Sequence, residues 1–393
     1  MKNLLYIVLV VLMMACTDNR NNQKKIISDT VESYKTEYPI NIDVFSKYNK
    51  RSIKWQEMGE VIYIPIETTK DILLSNIING LNISDNVIVT MNQLGTIYLF
   101  DSTGHQISQF NRQGRGPNEY ESANKLTVDF TEECIYLVDF DLRYKVLVYS
   151  LSGSFIRSFN IPNGLNIRDI QNYDKDNLLI YMIPPQYRWK DLQGPFRPYY
   201  LMSKIDGTLK QIELEVPELK EARIRIEQGN RMRLIGYQTS PIIRNGADFY
   251  ISDFALDMIY KLNDTILTPF IKIEPSVQNL ISPIFVSISL KSTQYTFLSV
   301  IEKEDSEVQI KQRFIAIDHT TGEIFEPDFG SGIFGRMPEN SFRNLPTDYC
   351  VIPLSAERLE EAFKKGELEG ELQSVASRLK IDDNPVLMLL KIK

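Results

Sequence analysis

The sequence predicts an all-β fold, a six-bladed β-propeller of four-stranded antiparallel blades with a short helical insertion in the closing blade. Two observations predict this fold. Five segments of the 393-residue chain repeat one pattern, in which short strands of alternating apolar and polar residues are separated by Gly, Asp, Asn or Ser turns. The segments recur at intervals of roughly 50 to 60 residues, which is typical of propeller blades.

The turn between the third and fourth strands is the clearest marker of each repeat. Its central residues are Gly104, Gly153, Gly207, Asp264 and Gly322. At the same spacing, the chain beyond residue 60 has room for six blades. The sixth blade is predicted from three separate strands, at 61–67, 347–353 and 385–393. Pairing these strands joins the two ends of the chain in one sheet and removes exposed strand edges.

A helical insertion is predicted within the closing blade, at 355–380. Apolar residues recur there at helical spacing, at Leu359, Phe363, Leu372, Val375 and Leu379. We interpret the segment as two short helices broken near 366–370. Its many charged residues are typical of a solvated helix face, and the alternative is a surface for a partner.

The N-terminus predicts export. Lys2 is followed by an uninterrupted apolar run at 4–15, which is too short to span a bilayer and suits the core of a signal peptide. Residues 13–16 (MMAC) resemble the lipobox of bacterial lipoproteins, with Met in place of the usual first Leu. This resemblance implies that 1–16 is a lipoprotein signal and that Cys16 is lipidated. The alternative is an ordinary signal peptide with an incidental cysteine.

The remaining chain divides into two parts, a polar tether at 17–54 and the propeller at 55–393. An open interpretation of the tether is that its stretch YPINIDVF lies extended on the surface of the propeller. The formal net charge of −7 and the lack of a basic stripe argue against a nucleic-acid partner. Cys134 and Cys350 both lie in strand-like runs, so they are either paired or buried as free thiols. We expect a monomeric propeller.

The least generic segment is RQGRGPNEY, Arg112 to Tyr120, which links the first two blades. In a four-stranded blade, interblade links and second-to-third turns lie on one face of the disc, opposite the Gly104-type turns. The segment therefore shares a face with two second-to-third turns, and these contain Asp139, Arg143 and Asp253. The candidate ligand-binding residues on this face are Arg112, Arg115, Glu119, Tyr120, Asp139, Arg143 and Asp253.

Two interpretations of these residues remain open. In the structural one, Arg112 or Arg115 pairs with Glu119 or with a neighbouring Asp and locks two blades together, while the glycines and proline shape the turn. In the functional one, the same groups line the mouth of the central channel and bind an anionic or sugar-like ligand. Aromatic residues suited to carbohydrate, or simply to loop packing, cluster in the third repeat at Tyr187, Trp189, Phe196, Tyr199 and Tyr200.

Catalytic signals are sparse. The chain has two histidines, His105 and His319, and both lie beside Gly104-type turns, away from the linker face. No histidine metal site is therefore expected, and no cofactor is assigned. Calcium held by Asp139 and Asp253 is the metal alternative, and capping of local turns by these Asp residues is the simpler interpretation.

RQGRGPNEY, the preceding IYLFDSTGHQISQF, the lipoprotein-like start and the terminal NPVLMLLKIK together resemble the six-bladed propeller lipoproteins of the Bacteroidetes, relatives of NHL-repeat propellers. The resemblance covers about 55 to 393, and Asn118 stands where family members often carry Gly. It implies a lipid-anchored protein of the cell envelope, in the outer membrane, and implies no catalytic residues. We expect a ligand-binding or protein-interaction scaffold, with a glycan or protein partner. The alternative is a calcium-dependent enzyme of the lactonase or lyase type.

Overall fold

The strands that the computed structural model describes form six sheets, each with four antiparallel strands, and one separate hairpin; two of the sheets carry a fifth, parallel strand. The described residues are 37–72, 74, 79–139, 145–162, 165–183, 195–220, 223–228, 231–236, 240–303, 310–330, 343–344 and 349–392. The six-bladed propeller predicted from the sequence is thereby confirmed.

The N-terminal segment precedes the first complete blade, and its elements are β1 (Ile40–Asp43), β2 (Lys50–Ser52), α1 (Trp55–Met58) and β3 (Gly59–Pro65). Blades 1 to 3 then follow in order, each built from four consecutive strands. Their strands are β4 (Asn79–Ile83), β5 (Val87–Met91), β6 (Ile97–Asp101), β7 (Gln106–Phe110), β8 (Ala123–Asp129), β9 (Cys134–Asp139), β10 (Lys145–Ser150), β11 (Phe155–Asn160), β12 (Asn166–Asn172), β13 (Asn177–Ile183), β14 (Tyr199–Ser203) and β15 (Leu209–Gln211).

The second half begins with a hairpin inserted between blades 3 and 4, formed by β16 (Arg223–Gln228) and β17 (Arg231–Gly236). Blades 4 and 5 comprise β18 (Ile242–Asn245), β19 (Asp248–Ile251), β20 (Met258–Asn263), β21 (Ile266–Glu274), β22 (Ile284–Lys291), β23 (Tyr295–Lys303), β24 (Ile310–Asp318) and β25 (Ile324–Asp328). The last elements are β26 (Arg343–Asn344), β27 (Tyr349–Leu354), α2 (Ala356–Lys364), α3 (Gly370–Ala376) and β28 (Val386–Ile392).

The sixth blade joins the two ends of the folded chain. Its strands run in the order β26, β27, β28, β3, so an N-terminal strand supplies the outermost position. Leu389 in β28 lies opposite Ile62 in β3, and the pairing continues over the full length of β3. The three strands predicted from separate pieces of sequence are thus β27, β28 and β3. Their pairing removes the open edge that an incomplete blade would expose.

The marker turns of the five repeats are the third-to-fourth turns of blades 1 to 5. All five central residues have positive φ values, which explains why four of them are glycine. Close contact with the preceding blade is a second reason that the sequence did not reveal. A Cβ on Gly104 would lie 2.2 Å from the carbonyl oxygen of Pro65, and one on Gly153 would lie 2.6 Å from Cγ of Phe110.

Part of the segment assigned to the tether, 17–54, packs on the propeller. β1 pairs in parallel with β21, the outer strand of blade 4, and β2 pairs in parallel with β25, the outer strand of blade 5. The alternation in INIDV buries Ile42 and Val44, so these residues add to the core between blades 4 and 5. Residues 40–52 therefore provide fifth strands to two blades, while 17–36 lie outside the described residues.

The helical insertion lies between β27 and β28 and consists of α2 and α3. Ser355 caps α2 by accepting a hydrogen bond from the backbone N–H of Arg358. Leu359 and Leu372 pack with Trp55 and other residues in the core between blades 5 and 6. Phe363, expected on the apolar face, is instead partly exposed. The break between the helices falls where Gly366 has a positive φ.

Both cysteines of the propeller are buried and unpaired. Burial raises the pKa of the Cys134 thiol and raises that of Cys350 well above its usual value. Two buried thiols with raised pKa values behave as small apolar side chains rather than as nucleophiles.

Candidate functional site

The long connections of this propeller lie on one face. Successive strands of a blade alternate in direction, so the interblade links and second-to-third turns lie together, opposite the first-to-second and third-to-fourth turns. The longest connections, 184–198, 212–241 and 355–385, all belong to the first group. We call this side the long-loop face. The opposite face has short turns such as 84–86 and 246–247. Loops on a rigid scaffold are where binding residues concentrate.

Tyr120 anchors the linker RQGRGPNEY. Its ring is fully buried, and its hydroxyl donates to the carbonyl of Gly95 at 2.6 Å, in the second-to-third turn of blade 1. The same hydroxyl accepts from the backbone N–H of Arg112 at 2.9 Å. Tyr120 therefore holds the start and the end of the linker against blade 1.

Glu119 explains the two glycines of the linker. Its Oε2 accepts a hydrogen bond from the backbone N–H of Gly116 at 2.7 Å. A Cβ on Gly114 would lie 2.0 Å from this same oxygen, and one on Gly116 would lie 3.0 Å from it. The carboxylate thus occupies the space that side chains at these two positions would fill. It closes the turn and contacts backbone rather than pairing with an arginine.

The two arginines do not meet at the channel mouth. In the structural interpretation Arg112 or Arg115 pairs with a carboxylate, but Arg112 Nε donates to the carbonyl of Gly153 at 3.1 Å, in the third-to-fourth turn of blade 2. The end of β7 lies beside this turn, since a Cβ on Gly153 would be 2.6 Å from Cγ of Phe110. Arg112 therefore lies toward the rim, where it ties blade 1 to blade 2. Arg115 is exposed.

Asp139 is fully buried beneath the linker. Its carboxylate lies 3.4 Å from the backbone nitrogen of Glu121 and 3.5 Å from that of Ser122. Lys145 Nζ donates to the Pro117 carbonyl at 2.9 Å, and the Tyr149 hydroxyl donates to the Asn118 carbonyl at 2.7 Å. Blade 2 thus holds the linker by its backbone. Arg143, the other candidate in this turn, lies outside the described residues.

Asp253 lies at the equivalent position of blade 4 and is also buried. It accepts from the Tyr199 hydroxyl of blade 3 at 2.6 Å and from the backbone N–H of Ala255 at 3.0 Å. Burial raises the pKa of Asp253 and raises that of Tyr199 well above its usual value. The pair locks blade 3 to blade 4, and the bond to Ala255 caps the local turn.

The calcium alternative has no support from this geometry. Asp139 and Asp253 are in different blades, and both carboxylates face donors of the protein itself. Within the described ranges, no group of three His, Cys, Asp or Glu side chains is placed to hold a metal ion.

Polar side chains near the central channel form hydrogen bonds between neighbouring blades. Asn82 Oδ1 accepts from the backbone N–H of Val128, and Thr127 Oγ1 accepts from that of Asn172, each at 3.1 Å. Ser252 Oγ makes the corresponding bond between blades 4 and 5. All three polar side chains are buried, so these groups satisfy the backbone of the next inner strand and are not offered to a ligand.

The aromatic cluster of the third repeat is partly a packed interface. Tyr187 and Trp189 lie outside the described residues. Tyr199 is fully buried, Phe196 packs against the core between blades 3 and 4, and the Tyr200 hydroxyl accepts from Gln211 Nε2 at 2.8 Å. These three residues do not form an exposed aromatic platform.

The two histidines lie at third-to-fourth turns. His105 is exposed, and its Nδ1 is 2.8 Å from Thr103 Oγ1. His319 contacts Thr296 Oγ1 through Nε2 at 2.8 Å, and burial together with the charge of Lys291 lowers its pKa to about 4. Burial likewise lowers the pKa of Lys291, whose ammonium lies over the rings of Tyr250 and Phe270, to about 8.

Exposed apolar side chains mark the long-loop face beside blade 4. Ile281, in the link between blades 4 and 5, is fully exposed at 105% of its reference area, and the neighbouring Leu280 is also exposed. Elsewhere on this face Leu94, Phe363 and Ile381 are exposed. A single apolar residue in a loop forms no sequence pattern, so these residues cannot be recognised from the sequence.

A hydrogen-bonded network fixes the link that carries Ile281. Asp257, in the second-to-third turn of blade 4, accepts from Ser276 Oγ, from the backbone N–H of Val277 at 3.1 Å and from Gln278 Nε2 at 2.9 Å. Lys220, from the preceding link, donates to the Gln278 carbonyl at 2.8 Å. Three connections are thereby joined just before Leu280 and Ile281, so the exposed apolar residues follow a fixed segment.

The fold defines the class of this protein, a six-bladed propeller whose longest connections lie on one face. Residues 39–391 match the family described as Domain of unknown function (DUF4934), and the chain belongs to that family. A search of curated proteins found no match.

Two solved structures from Bacteroides are similar. One, described as an exported protein (BF0058) of Bacteroides fragilis NCTC 9343, has 18% identity and a TM-score of 0.62, covering 88% of this chain and 99% of its own. The other, a protein of unknown function from Bacteroides thetaiotaomicron VPI-5482, has 10% identity and a TM-score of 0.38, covering 88% of this chain and 75% of its own. The Bacteroides fragilis protein shares the fold of this chain, and its low sequence identity supports no further conclusion.

Among the described residues, no helix has the length and apolar character needed to cross a bilayer.

Proposed function

We propose that this protein is an envelope-anchored scaffold that docks a protein partner on its long-loop face. The observation that carries the proposal is the exposed apolar pair Leu280 and Ile281, which directly follows a hydrogen-bonded segment on the face with the longest connections. Exposed apolar side chains on a rigid frame are typical of protein-interaction surfaces. A glycan surface would present exposed aromatic rings, and the described aromatics of the third repeat are packed.

The proposed location follows from the N-terminus and from one relative. The apolar run at 4–15 and Cys16 favour a lipoprotein signal, and the Bacteroides fragilis relative is described as exported. Lipidation at Cys16 would hold the propeller at the envelope, in the outer membrane, without a spanning helix. Radiolabelled palmitate should label the wild-type chain and leave Cys16→Ser unlabelled; equal labelling of both would refute the anchor.

Site-specific photo-crosslinking tests the docking surface. A photo-reactive amino acid is placed at residue 281 or, as a matched control, at residue 205. Ile205 is 78% exposed in a third-to-fourth turn, so it is apolar and exposed on the opposite face. We expect one reproducible protein adduct from residue 281 in intact cells and none from residue 205.

The purified partner should then bind the wild-type protein and Ile205→Asp equally, and bind Ile281→Asp at least about tenfold more weakly, the effect of an interface hot spot. Equal adducts from both positions, or unchanged affinity for Ile281→Asp, would refute docking on this face.

A further inference from the structure

The hairpin of β16 and β17 is an element that the six blades do not use. It lies in the link between blades 3 and 4, on the long-loop face, and its two strands pair only with each other among the strands that the structure describes. Apart from that pairing, neither strand makes more than marginal contact with another helix or strand in the described part of the chain. Within the described ranges, the hairpin therefore has two unpaired edges.

An unpaired edge is suited to receive a further strand. A two-stranded hairpin is marginally stable in water, and a third strand or a packed face stabilises it. Each edge also presents backbone N–H and C=O groups that need hydrogen-bond partners. The blades of this chain already show such an addition, because β1 and β2 join the outer edges of blades 4 and 5 as parallel fifth strands.

The register of the hairpin shows which backbone groups face outward. Gln228 lies opposite Arg231 with two residues between them, so this pair closes the hairpin through mutual backbone hydrogen bonds. Hydrogen-bonded and non-hydrogen-bonded pairs alternate along an antiparallel ladder. The backbone N–H and C=O groups of Arg223, Arg225 and Glu227 therefore point away from β17 and form the outer edge of β16.

The hairpin is basic in an acidic protein. Its strands carry four arginines and one glutamate, an excess of three positive charges, whereas the whole chain has a formal net charge of −7. Opposite charges on facing residues of paired strands attract, and like charges repel. Two copies of this hairpin would repel each other through their net charges. The charge therefore favours an acidic strand as the occupant of the edge.

The base of the hairpin is fixed beside the exposed apolar pair Leu280 and Ile281. Lys220 precedes β16 by three residues, and its Nζ donates to the carbonyl and to Oε1 of Gln278, at 2.8 and 2.7 Å. An extended chain spans at most about 3.6 Å per residue, so β16 begins within about 11 Å of Lys220. Gln278 is two residues from Leu280 in the chain. One partner can therefore contact both the hairpin and the apolar pair.

We propose that the hairpin binds an acidic, extended segment of the partner protein, which pairs with the outer edge of β16 as a third strand. Acidic residues at every second position of that segment lie opposite Arg223 and Arg225, because alternate residues of a strand share a face. An anionic lipid surface would supply charge but no backbone groups for the edge, so the edge favours a protein. This inference rests on the docking proposal and defines the chemistry of the partner at the same face.

The test measures the binding of defined peptides to the full-length protein by fluorescence anisotropy. The probe is the fluorescein-labelled peptide TVEVEVET, and its charge control is TVKVKVKT. Two further forms of the probe carry N-methyl groups, either on the three glutamates or on the three valines. The variants are Arg225→Glu and the matched control Lys210→Glu. Lys210 is an exposed basic residue of β15, the outer strand of blade 3, so it makes the same charge change away from the hairpin.

We expect TVEVEVET to bind saturably to the wild type and to Lys210→Glu, and at least about fivefold more weakly to Arg225→Glu. TVKVKVKT should bind at least about tenfold more weakly than TVEVEVET, and added salt should weaken the binding of TVEVEVET. One N-methylated form should lose binding at least about tenfold while the other retains it, because alternate N–H groups of a strand face opposite edges.

Equal affinity for the glutamate and lysine peptides, or for the two N-methylated forms, would overturn the pairing. Binding of phosphatidylglycerol vesicles without binding of TVEVEVET would assign the hairpin to lipid and overturn it. A dimer of the protein alone that Arg225→Pro dissociates would assign the edge to a second copy.

The photo-crosslinked partner separates this inference from the docking proposal. If the partner binds Ile281→Asp weakly but Arg225→Glu like the wild type, docking on the long-loop face stands and the acidic-strand pairing is wrong. If both variants bind the partner like the wild type, the docking proposal fails as well.

Discussion

Replacing Gly104 by alanine should weaken the closure of the ring far more than a change at an ordinary turn glycine. Gly104 has φ of +89°, and its added Cβ would lie 2.2 Å from the carbonyl oxygen of Pro65 in β3, the strand that completes blade 6. Because the obstacle is backbone, a side-chain rotation cannot relieve it. The turn and β3 must separate by roughly 1 Å to reach an ordinary contact.

Three terms set the magnitude. A positive φ costs an alanine about 1–2 kcal/mol. Separation of the turn from β3 also strains two hydrogen bonds, from the backbone N–H of Glu67 to the Gly104 carbonyl at 2.9 Å and from that of Gln106 to Glu67 Oε2 at 2.8 Å. Each is worth about 1 kcal/mol, and overpacking adds about 1 kcal/mol or more. Gly104→Ala should therefore destabilise the protein by about 4 kcal/mol.

Gly366→Ala is the matched control. Gly366 has φ of +70°, and nothing lies within 4 Å of its added Cβ. This variant should lose only the conformational cost, about 1–2 kcal/mol. Urea unfolding followed by tryptophan fluorescence gives both values. If Gly104→Ala loses no more stability than Gly366→Ala, then the turn of blade 1 is not packed against β3 as described.

Three further predictions concern buried polar groups. Lys204→Met should destabilise the protein by about 3–5 kcal/mol in urea unfolding. The ammonium of Lys204 lies 2.6 Å from the buried carboxylate of Asp129, and its removal leaves that charge unpaired. A loss of stability below about 1 kcal/mol would contradict this prediction. Tyr199→Phe should cost about 1–3 kcal/mol by removing the donor to buried Asp253, and an unchanged urea midpoint would show that the bond is not made. His319 has a folded-state pKa of about 4 against an ordinary value of 6.5, so the folded state binds fewer protons and stability should fall as the pH drops from about 6.5 to 4. Because His319 is partly exposed, the expected loss in the free energy of unfolding is about 1–2 kcal/mol. The stability of His319→Gln should decline less than that of the wild type between pH 7 and pH 4.5. An equal decline in both proteins would show that other groups cause the effect.

The sequence predicted the fold well because a propeller repeats local signals. Alternating strands and turns with positive φ are set by residues close together in the chain, and five turns such as Gly104 and Gly153 mark the blades directly. The closing blade was predicted for a different reason: β27, β28 and β3 were strand-like pieces that needed partners. The strand β1 lies in YPINIDVF, for which an extended form on the propeller surface was one interpretation. The strand β2 was harder to predict, because a short polar segment becomes a strand only when an outer edge is available for pairing.

The candidate site was less accessible to sequence reasoning. Asp253 could be selected as a buried turn residue, but its partner Tyr199 is 54 residues away in another blade. One interpretation paired Arg112 or Arg115 with a carboxylate, whereas Arg112 donates to the carbonyl of Gly153, 41 residues away in the next blade.

The most direct test of docking on the long-loop face is hydrogen–deuterium exchange of the protein in native envelope vesicles and after purification in detergent. Residues 275–283, which include Ile281, report on the long-loop face, and 204–208, which include Ile205, report on the opposite face. The proposal predicts slower exchange at 275–283 in vesicles than in detergent and no difference at 204–208. Equal exchange at 275–283 in both samples, or protection confined to 204–208, would contradict it.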